Sequence, residues 1–380
     1  MEKIAYVLVA ASCGYLIVAC WWTRSFFRNQ DWQTQRSHGF APPVSILKPV
    51  CGLDAGAYDN FASFLRQDYP EYEVLFAVSD PDDPAVAVID RLRRDVPEAR
   101  VSLVVGVRQT FANPKVSSLA ALTARAAFDV LVISDSDMRV GPDYLRRVVA
   151  PLARPEVGLV TCAYRGVAPA TLTAKLEALH MGVTFLPEVI VARRFLDMQF
   201  ALGATLALRR SDLAQIGGWQ AVGDYLAEDS QLASRIAQTG KKVVLSDYLV
   251  DAYLGHTTWQ EQWHREVRWA RTNRVVRPKE YTGIILTFTV PLAVLLLPLD
   301  PLGLWSWLVV GGALVVRWTT AWLIAEATHN RSLCRYFAWL PLRDFLSALT
   351  WCAGAGGRHV VWRGQRYRLL ADGRMKPRAG

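Results

Sequence analysis

Asp135-Ser136-Asp137 sets two carboxylates one residue apart at the end of the apolar run Val130-Leu131-Val132-Ile133. Side chains spaced this way can reach one hard cation, and Mg²⁺ or Mn²⁺ held there would bridge a diphosphate and neutralise it as a leaving group. The pattern is short and recurs by chance, so its weight comes from its place after a buried-strand run. Ser79-Asp80-Pro81-Asp82-Asp83 follows the apolar stretch Glu73–Val78. A carboxylate there can accept hydrogen bonds from a base or ribose, although the same residues suit an acidic turn. Glu228-Asp229 leads into the helical run Gln231–Gln238. One carboxylate of that pair can take a proton from an attacking hydroxyl, and acidic residues also suit a helix start. Arg265 and Arg268 lie three apart on one helix face, with Trp269 beside them. Two guanidinium groups match a diphosphate, or equally the head groups of a nearby membrane. His180, His256 and His264 show no ligand spacing.

The elements that must position these groups are short apolar runs alternating with helical stretches. Val44–Leu47, Glu73–Val78, Val101–Val107, Val130–Ile133 and Gly158–Thr161 read as buried parallel strands. Tyr58–Gln67, Ala85–Arg94, Ser117–Ala127 and Asp143–Ala153 read as helices between them. The alternation predicts an α/β fold with a doubly wound, mostly parallel sheet. Ligands of such sheets bind beyond the carboxyl ends of the strands, where the first two acidic runs fall.

The chain has 380 residues, of which 52% are hydrophobic, and the surplus lies at its two ends. Ile4–Trp22 is long enough to cross a bilayer, and the arginines that follow, Arg24 and Arg28, predict an uncleaved anchor with the next domain in the cytoplasm. Gln30–Pro43 reads as a polar linker. Ile284–Leu299 and Leu304–Ala325, separated by Asp300-Pro301-Leu302-Gly303, read as a membrane hairpin, within which Arg317 requires a partner or a polar cavity. Leu340–Gly357 is interrupted by Pro341, Arg343 and Asp344 and reads as interfacial or re-entrant. The expected organisation is an anchor over residues 1–29, a cytoplasmic catalytic domain over 30–278, and a membrane hairpin, interfacial segment and basic tail over 279–380.

The net charge is +9, and Arg331–Arg378 holds ten Lys or Arg against Asp344 and Asp372. Such a run beside apolar segments fits an anionic bilayer surface. Nucleic acid is disfavoured as a partner because the aromatic residues lie in hydrophobic runs. Six cysteines without a CxxC pair fit a reducing compartment and no disulfide framework. A transporter would need more spans, as would a polysaccharide-exporting synthase. A non-catalytic membrane scaffold would have no reason to place acidic clusters after strands.

The order of a strand-end Asp, DxD, an acidic pair and RxxRW before a membrane hairpin resembles the lipid-directed branch of the family 2-like glycosyltransferases. More narrowly, the sequence resembles the ceramide glucosyltransferases of glycosyltransferase family 21. The matching stretches are Val44–Asp54, Asp68–Val74, Asp82–Ala85, Asn113–Val116, Asp135-Ser136 with Arg139-Val140, Ala227–Asp229 and Arg265–Trp269. The resemblance implies a GT-A type nucleotide-sugar-binding domain with transmembrane helices at both ends, in a bacterial inner membrane. It implies that Asp80 holds the nucleotide, that Asp135 and Asp137 hold the Mg²⁺ or Mn²⁺ and diphosphate, and that Asp229 is the base. Arg265, Arg268 and Trp269 would close over the diphosphate, with Lys48 and Lys115 near it. It further implies a UDP-sugar donor and an inverting transfer to a membrane lipid, giving a β-linked product. Two departures stand out. The animal enzymes read DSG where this chain has Asp135-Ser136-Asp137, and a histidine of theirs falls around Phe185–Leu186, where none stands here. Bacterial relatives of hopanoid pathways share the spelling of Asp135–Val140 and Val157–Gly166, which keeps a hopanoid N-acetylglucosaminyltransferase as the alternative. Asn113-Pro114-Lys115 and Glu228-Asp229 lean towards ceramide. The sequence leaves the oligomeric state open.

Overall fold

The computed structural model describes residues 2–28, 39–195, 198–299, 301 and 303–377. Its centre is an eight-stranded sheet of β1 (Val44–Val50), β2 (Tyr72–Val78), β3 (Val101–Val105), β4 (Val130–Ser134), β5 (Met138–Arg139), β6 (Val157–Pro169), β7 (Thr205–Arg209) and β8 (Lys242–Gly255). The strand order is β3-β2-β1-β4-β7-β6-β8-β5. β1 through β4 pair in parallel, and β6 pairs in parallel with β8. β7 runs antiparallel between β4 and β6, and β5 antiparallel to β8. The α/β, mostly parallel GT-A type sheet expected from the sequence is therefore present, with antiparallel pairings around β7 and β5.

The parallel half forms because its strands are apolar on both faces and side chains alternate between them. Val44, Ile46, Val74, Phe76, Val130 and Val132 enter one core, against Phe61 and Phe64 of helix Ala57–Phe64 and Ile89 and Leu92 of helix Ala85–Asp95. Leu47, Leu75, Ala77, Leu131 and Ile133 enter the other, against Val116, Leu119 and Leu122 of helix Pro114–Arg125. β6 reaches thirteen residues rather than the short Gly158–Thr161 run expected. Its pairing with β8 shifts register between Cys162 and Tyr164, immediately before Tyr164 and Arg165. Such irregularities bend a strand and re-aim its side chains.

Two helices, Lys3–Arg28 and Leu304–Ala327, are long and apolar enough to cross a membrane. They carry exposed Ile4, Val7, Trp21, Leu304, Trp305 and Trp307, and so extensive an apolar surface marks a membrane or partner face. Ile284–Leu299, expected as the first arm of a hairpin, is instead broken into the 3₁₀ turn Ile284–Thr287 and the helix Thr289–Val294. Pro291 and Pro298 account for the break, since each lacks an amide donor and crowds the preceding turn. Asp300 and Leu302 of the expected turn lie outside the described residues, as do most of the Gln30–Pro43 linker and Arg378.

The partner that Arg317 requires is Asp344, held through Nε and Nη2 at 2.9 Å each, with the Val183 carbonyl (3.1 Å) and Thr184 Oγ1 (2.9 Å) completing its shell. Helix Leu340–Gly354 has 15 residues, about 22 Å of rise, which is short of a bilayer core. It lies against helix Trp259–Val276, an approach that Gly354 permits because a Cβ there would overlap Ala270. Arg343 and Glu266 join the two helices by paired bonds of 2.6 and 2.7 Å. The expected basic tail is a three-stranded antiparallel sheet of β9 (His359–Trp362), β10 (Gln365–Leu369) and β11 (Met375–Pro377).

Candidate active site

The loop between β4 and β5 carries Asp135-Ser136-Asp137 and is tethered at each residue. Lys48 Nζ donates to the Asp135 carbonyl at 2.8 Å, Ser136 Oγ donates to Asp54, and the Tyr253 amide donates to the Asp137 carbonyl at 3.0 Å. These contacts fix the loop without engaging either aspartate carboxylate.

Lys48, expected beside the donor diphosphate, lies fully buried beneath this loop, its ammonium 3.6 Å from the centre of the Phe64 ring. Burial brings it down to about 7 in spite of Asp135, Asp137 and Asp54. Its β1 position points into the core at the strand's end, so it supports the Asp135–Asp137 loop from below.

Lys115 is placed by the start of its helix. The Asn113 side chain accepts from the Lys115 and Val116 amides at 2.9 and 3.3 Å, and Pro114 occupies the first turn, where a missing amide costs nothing. Asn113 Nδ2 in turn donates to Glu228 at 3.1 Å and to the Tyr225 carbonyl at 2.9 Å. Lys115 Nζ then bridges Asp135 (2.6 Å) and Glu228 (2.9 Å). Burial alone would lower the Lys115 ammonium, but Asp135 and Glu228 more than offset it and hold it above the usual lysine range.

Asp229 heads the helix Glu228–Gln238 and accepts from the Ser230 amide at 2.7 Å. Gly203, which sequence reasoning missed, marks where the groups converge. A Cβ built on it would lie 3.1 Å from Lys115 Nζ, 3.3 Å from Asp229 Oδ2 and 3.5 Å from Asp135 Oδ2. The signal available was a glycine just ahead of the run Thr205–Arg209. Burial and then Glu228 push the Asp229 carboxyl up to about 7, and burial, Asp135 and Asp54 do the same to Asp137. Neither aspartate forms an ion pair among the described residues.

Arg265 and Arg268 part company. Arg265 pairs with the buried Glu177 of helix Leu172–His180, with its Cζ 6.0 Å from the Trp269 ring centre. Glu177 needs a cation because an unpaired buried carboxylate is costly. Arg268 forms no ion pair among the described residues, and burial, then Arg265, bring it down to about 10, while Glu228 and Tyr164 act the other way. Trp269 is half-buried against the first core. Asp80 stands exposed beyond β2, accepting from the Asp82 amide at 3.0 Å. The neighbouring Asp83 is structural, buried and bonded to the Gly52 and Ala85 amides at 2.7 and 2.9 Å.

Among the described residues, no group of three or more His, Cys, Asp or Glu gathers as a metal cage. Two carboxylates on one tethered loop, Asp137 without an ion pair and Asp135 held by Lys115, still suit Mg²⁺ or Mn²⁺, which commonly take one or two carboxylates plus substrate phosphates and water.

Residues 4–375 match the family model described as Glycosyl transferase family 21. The chain belongs to glycosyl transferase family 21. It is 24% identical over 352 residues to Ceramide glucosyltransferase 1 of Caenorhabditis elegans, covering 88% of this chain and 73% of that protein. To Ceramide glucosyltransferase 3 of the same organism it is 27% identical over 208 residues, 54% of this chain and 45% of the relative. This family 21 chain thus spans less than half the length of one curated relative and about three-quarters of the other. A solved structure of the mannosyltransferase PcManGT from Pyrobaculum calidifontis, in complex with GDP-Man and Mn²⁺, has the same fold. Its TM-score is 0.54 at 20% identity, covering 92% of this chain and 98% of that one.

Proposed function

We propose that this family 21 glycosyltransferase transfers a sugar from a UDP-sugar to the hydroxyl of a membrane lipid by a single inverting displacement. The observation that carries this is the convergence at Gly203, where Asp229, Lys115 and Asp135 come together. A base and a diphosphate-binding carboxylate there lie within one substrate's reach. The names of the relatives point to glucose as the sugar and ceramide as the acceptor.

Asp135 and Asp137 would hold a divalent cation, which supplies charge neutralisation for the diphosphate. Asp229 takes the proton of the acceptor hydroxyl, and a carboxyl held near neutrality is well matched to that task. Glu228 is committed to Lys115 and Asn113, which leaves Asp229 as the available base. Arg268 offers an unpaired guanidinium to the departing diphosphate, and Lys115 keeps Asp135 and Glu228 compensated while the donor is absent. Asp80 receives the nucleoside from the sheet side. The two apolar helices hold this site at the bilayer surface, where a two-chain lipid must be met. Arg24 and Arg28, after the first of them, favour a catalytic domain on the cytoplasmic side of a bacterial inner membrane.

Asp229→Asn tests the assignment. Turnover is expected to fall about 10²–10⁴-fold, with UDP-sugar affinity, measured by calorimetry, nearly unchanged. Near-normal turnover in that variant removes Asp229 from the role of base.

A further inference from the structure

The sheet β9–β11 touches three segments that surround the candidate site. Its small core of Val360, Tyr367, Leu369 and Met375 is completed by Leu226, three residues ahead of Asp229. The Met375 amide donates to the Asp224 carbonyl at 2.8 Å, and Tyr225 and Arg374 form an isolated antiparallel bridge. The loop that delivers Glu228 and Asp229 therefore rests on this sheet.

The second segment is helix Trp259–Val276. Arg271 Nε donates to the Gly356 carbonyl at 3.1 Å and its Nη1 to that of His359. Arg274 Nε donates to the Gly354 carbonyl at 2.9 Å and its Nη2 to that of Gly357. These arginines lie three and six residues beyond Arg268.

The third contact is made by the turn between β9 and β10. Arg363 and Gly364 have φ of 49° and 77°, the two-residue turn that favours Asn-Gly or Gly-Gly because both residues are left-handed. An arginine is an unfavourable choice there, yet its side chain reaches far along the sequence. Arg363 Nη1 donates to the Cys51 carbonyl at 2.6 Å, in the loop after β1. The next amide, Gly52, is bonded to Asp83 at 2.7 Å, within the run that carries Asp80. Arg363 is also one of the charges bearing on Arg268.

We infer that the β9–β11 sheet clasps the donor site and that Arg363 is a positioning residue for the nucleotide sugar. Its bond to Cys51 ties the loop beside Asp80 to the loop of Asp229 and the helix of Arg268. This inference rests on the reading of the site as a UDP-sugar site. It also gives the basic C-terminal stretch a use within the protein that does not depend on lipid.

The full chain in detergent, with UDP-glucose and Mn²⁺ as the probe, provides the test. Arg363→Ala should weaken UDP-glucose binding about tenfold by calorimetry and raise the donor KM to match, with kcat at saturating donor within about twofold of the wild type. Arg363→Lys, which keeps a donor for the Cys51 carbonyl, should recover part of the loss. Arg366→Ala, on the exposed side of β10, should bind as the wild type does. Hydrogen exchange at 51–54 and 359–369 should slow with UDP-glucose in the wild type and much less in Arg363→Ala. Unchanged donor affinity and KM in Arg363→Ala overturn the inference. So does a joint fall of kcat and Tm at constant donor KM, which would make the sheet a structural support only. If the wild-type chain binds no UDP-glucose, the donor-site reading fails first and takes this inference with it.

Discussion

Helix Trp259–Val276 carries charges of two kinds, a buried one at Glu266 and a half-buried one at Arg268. Glu266 meets Arg343 in a paired, fully buried arrangement, and close by Arg317 and Asp344 do the same with backbone help. Each ion there has its counter-ion and its hydrogen bonds. Two residues along, Arg268 has no counter-ion among the described residues, and Asp137 and Asp229 across the site lack one too. Taking an ion out of water costs several kcal/mol unless a partner is supplied. In the first region the chain supplies the partner, so those ions are structural. In the second the ions are half-buried and left without a partner, as expected where a protein binds a charged ligand. Charge type alone does not separate the two regions, but completeness of pairing does.

Breaking a closed pair should have the largest effect on folding. Arg343→Ala leaves Glu266 buried and alone, and a loss of about 3–5 kcal/mol is expected by denaturant unfolding in micelles. The double replacement Arg343→Met with Glu266→Leu should recover most of it. A single-variant loss below about 1 kcal/mol would mean that the pair is not closed as described.

The open region should behave the opposite way. Asp137→Ala removes a carboxylate that burial already disfavours, so stability should hold or rise. UDP-sugar affinity in the presence of Mn²⁺ should drop roughly 10–100-fold, a loss comparable to damaging a metal's supporting shell. With the metal chelated, variant and wild type should bind alike, and any remaining difference would take Asp137 out of the metal site.

Asn113 belongs to both regions in part, being a helix cap and a Glu228 partner. Asn113→Ala should cost about 1–2 kcal/mol by thermal unfolding and lower turnover as Glu228 and Lys115 lose their placement. A stability loss with unchanged turnover would confine Asn113 to capping. The smallest effect is expected of exposed Asp80. Asp80→Ala should raise the donor KM about threefold to tenfold with kcat little altered, and no change in KM would detach Asp80 from the nucleotide.

Where the sequence was legible, contiguous residues told the story. β1, β2 and β4 announce themselves as apolar runs, because strands covered on both faces have no polar face to conceal them. The acidic runs follow those strands directly. β7 and β8 carry no such mark. Thr205–Arg209 is a short run with polar ends, and Lys242–Gly255 is interrupted by Ser246-Asp247, so neither stands out. Lys48 was expected near the diphosphate only through the family resemblance, which says nothing of its orientation. Only the pleat of β1 shows that it points into the core. The partners of Arg317, Arg343 and Arg265 lie between 27 and 88 residues away in sequence, beyond the range of any spacing rule. The β9–β11 sheet was hidden by its arginines, which resemble a solvated tail until their carbonyl partners are seen.

The central claim is metal-dependent sugar transfer to a lipid at the open region. Its most direct test is to incubate the purified chain with Mn²⁺ or Mg²⁺ and a panel of UDP-sugars, offering ceramide, diacylglycerol and a hydroxylated hopanoid separately. Lipid products are then read by mass spectrometry. The account predicts a hexosylceramide that disappears on chelation and in Asp229→Asn. Transfer to the hopanoid alone would keep the chemistry and replace the acceptor. No glycolipid and no UDP release under any combination would contradict the account and leave a membrane scaffold in its place.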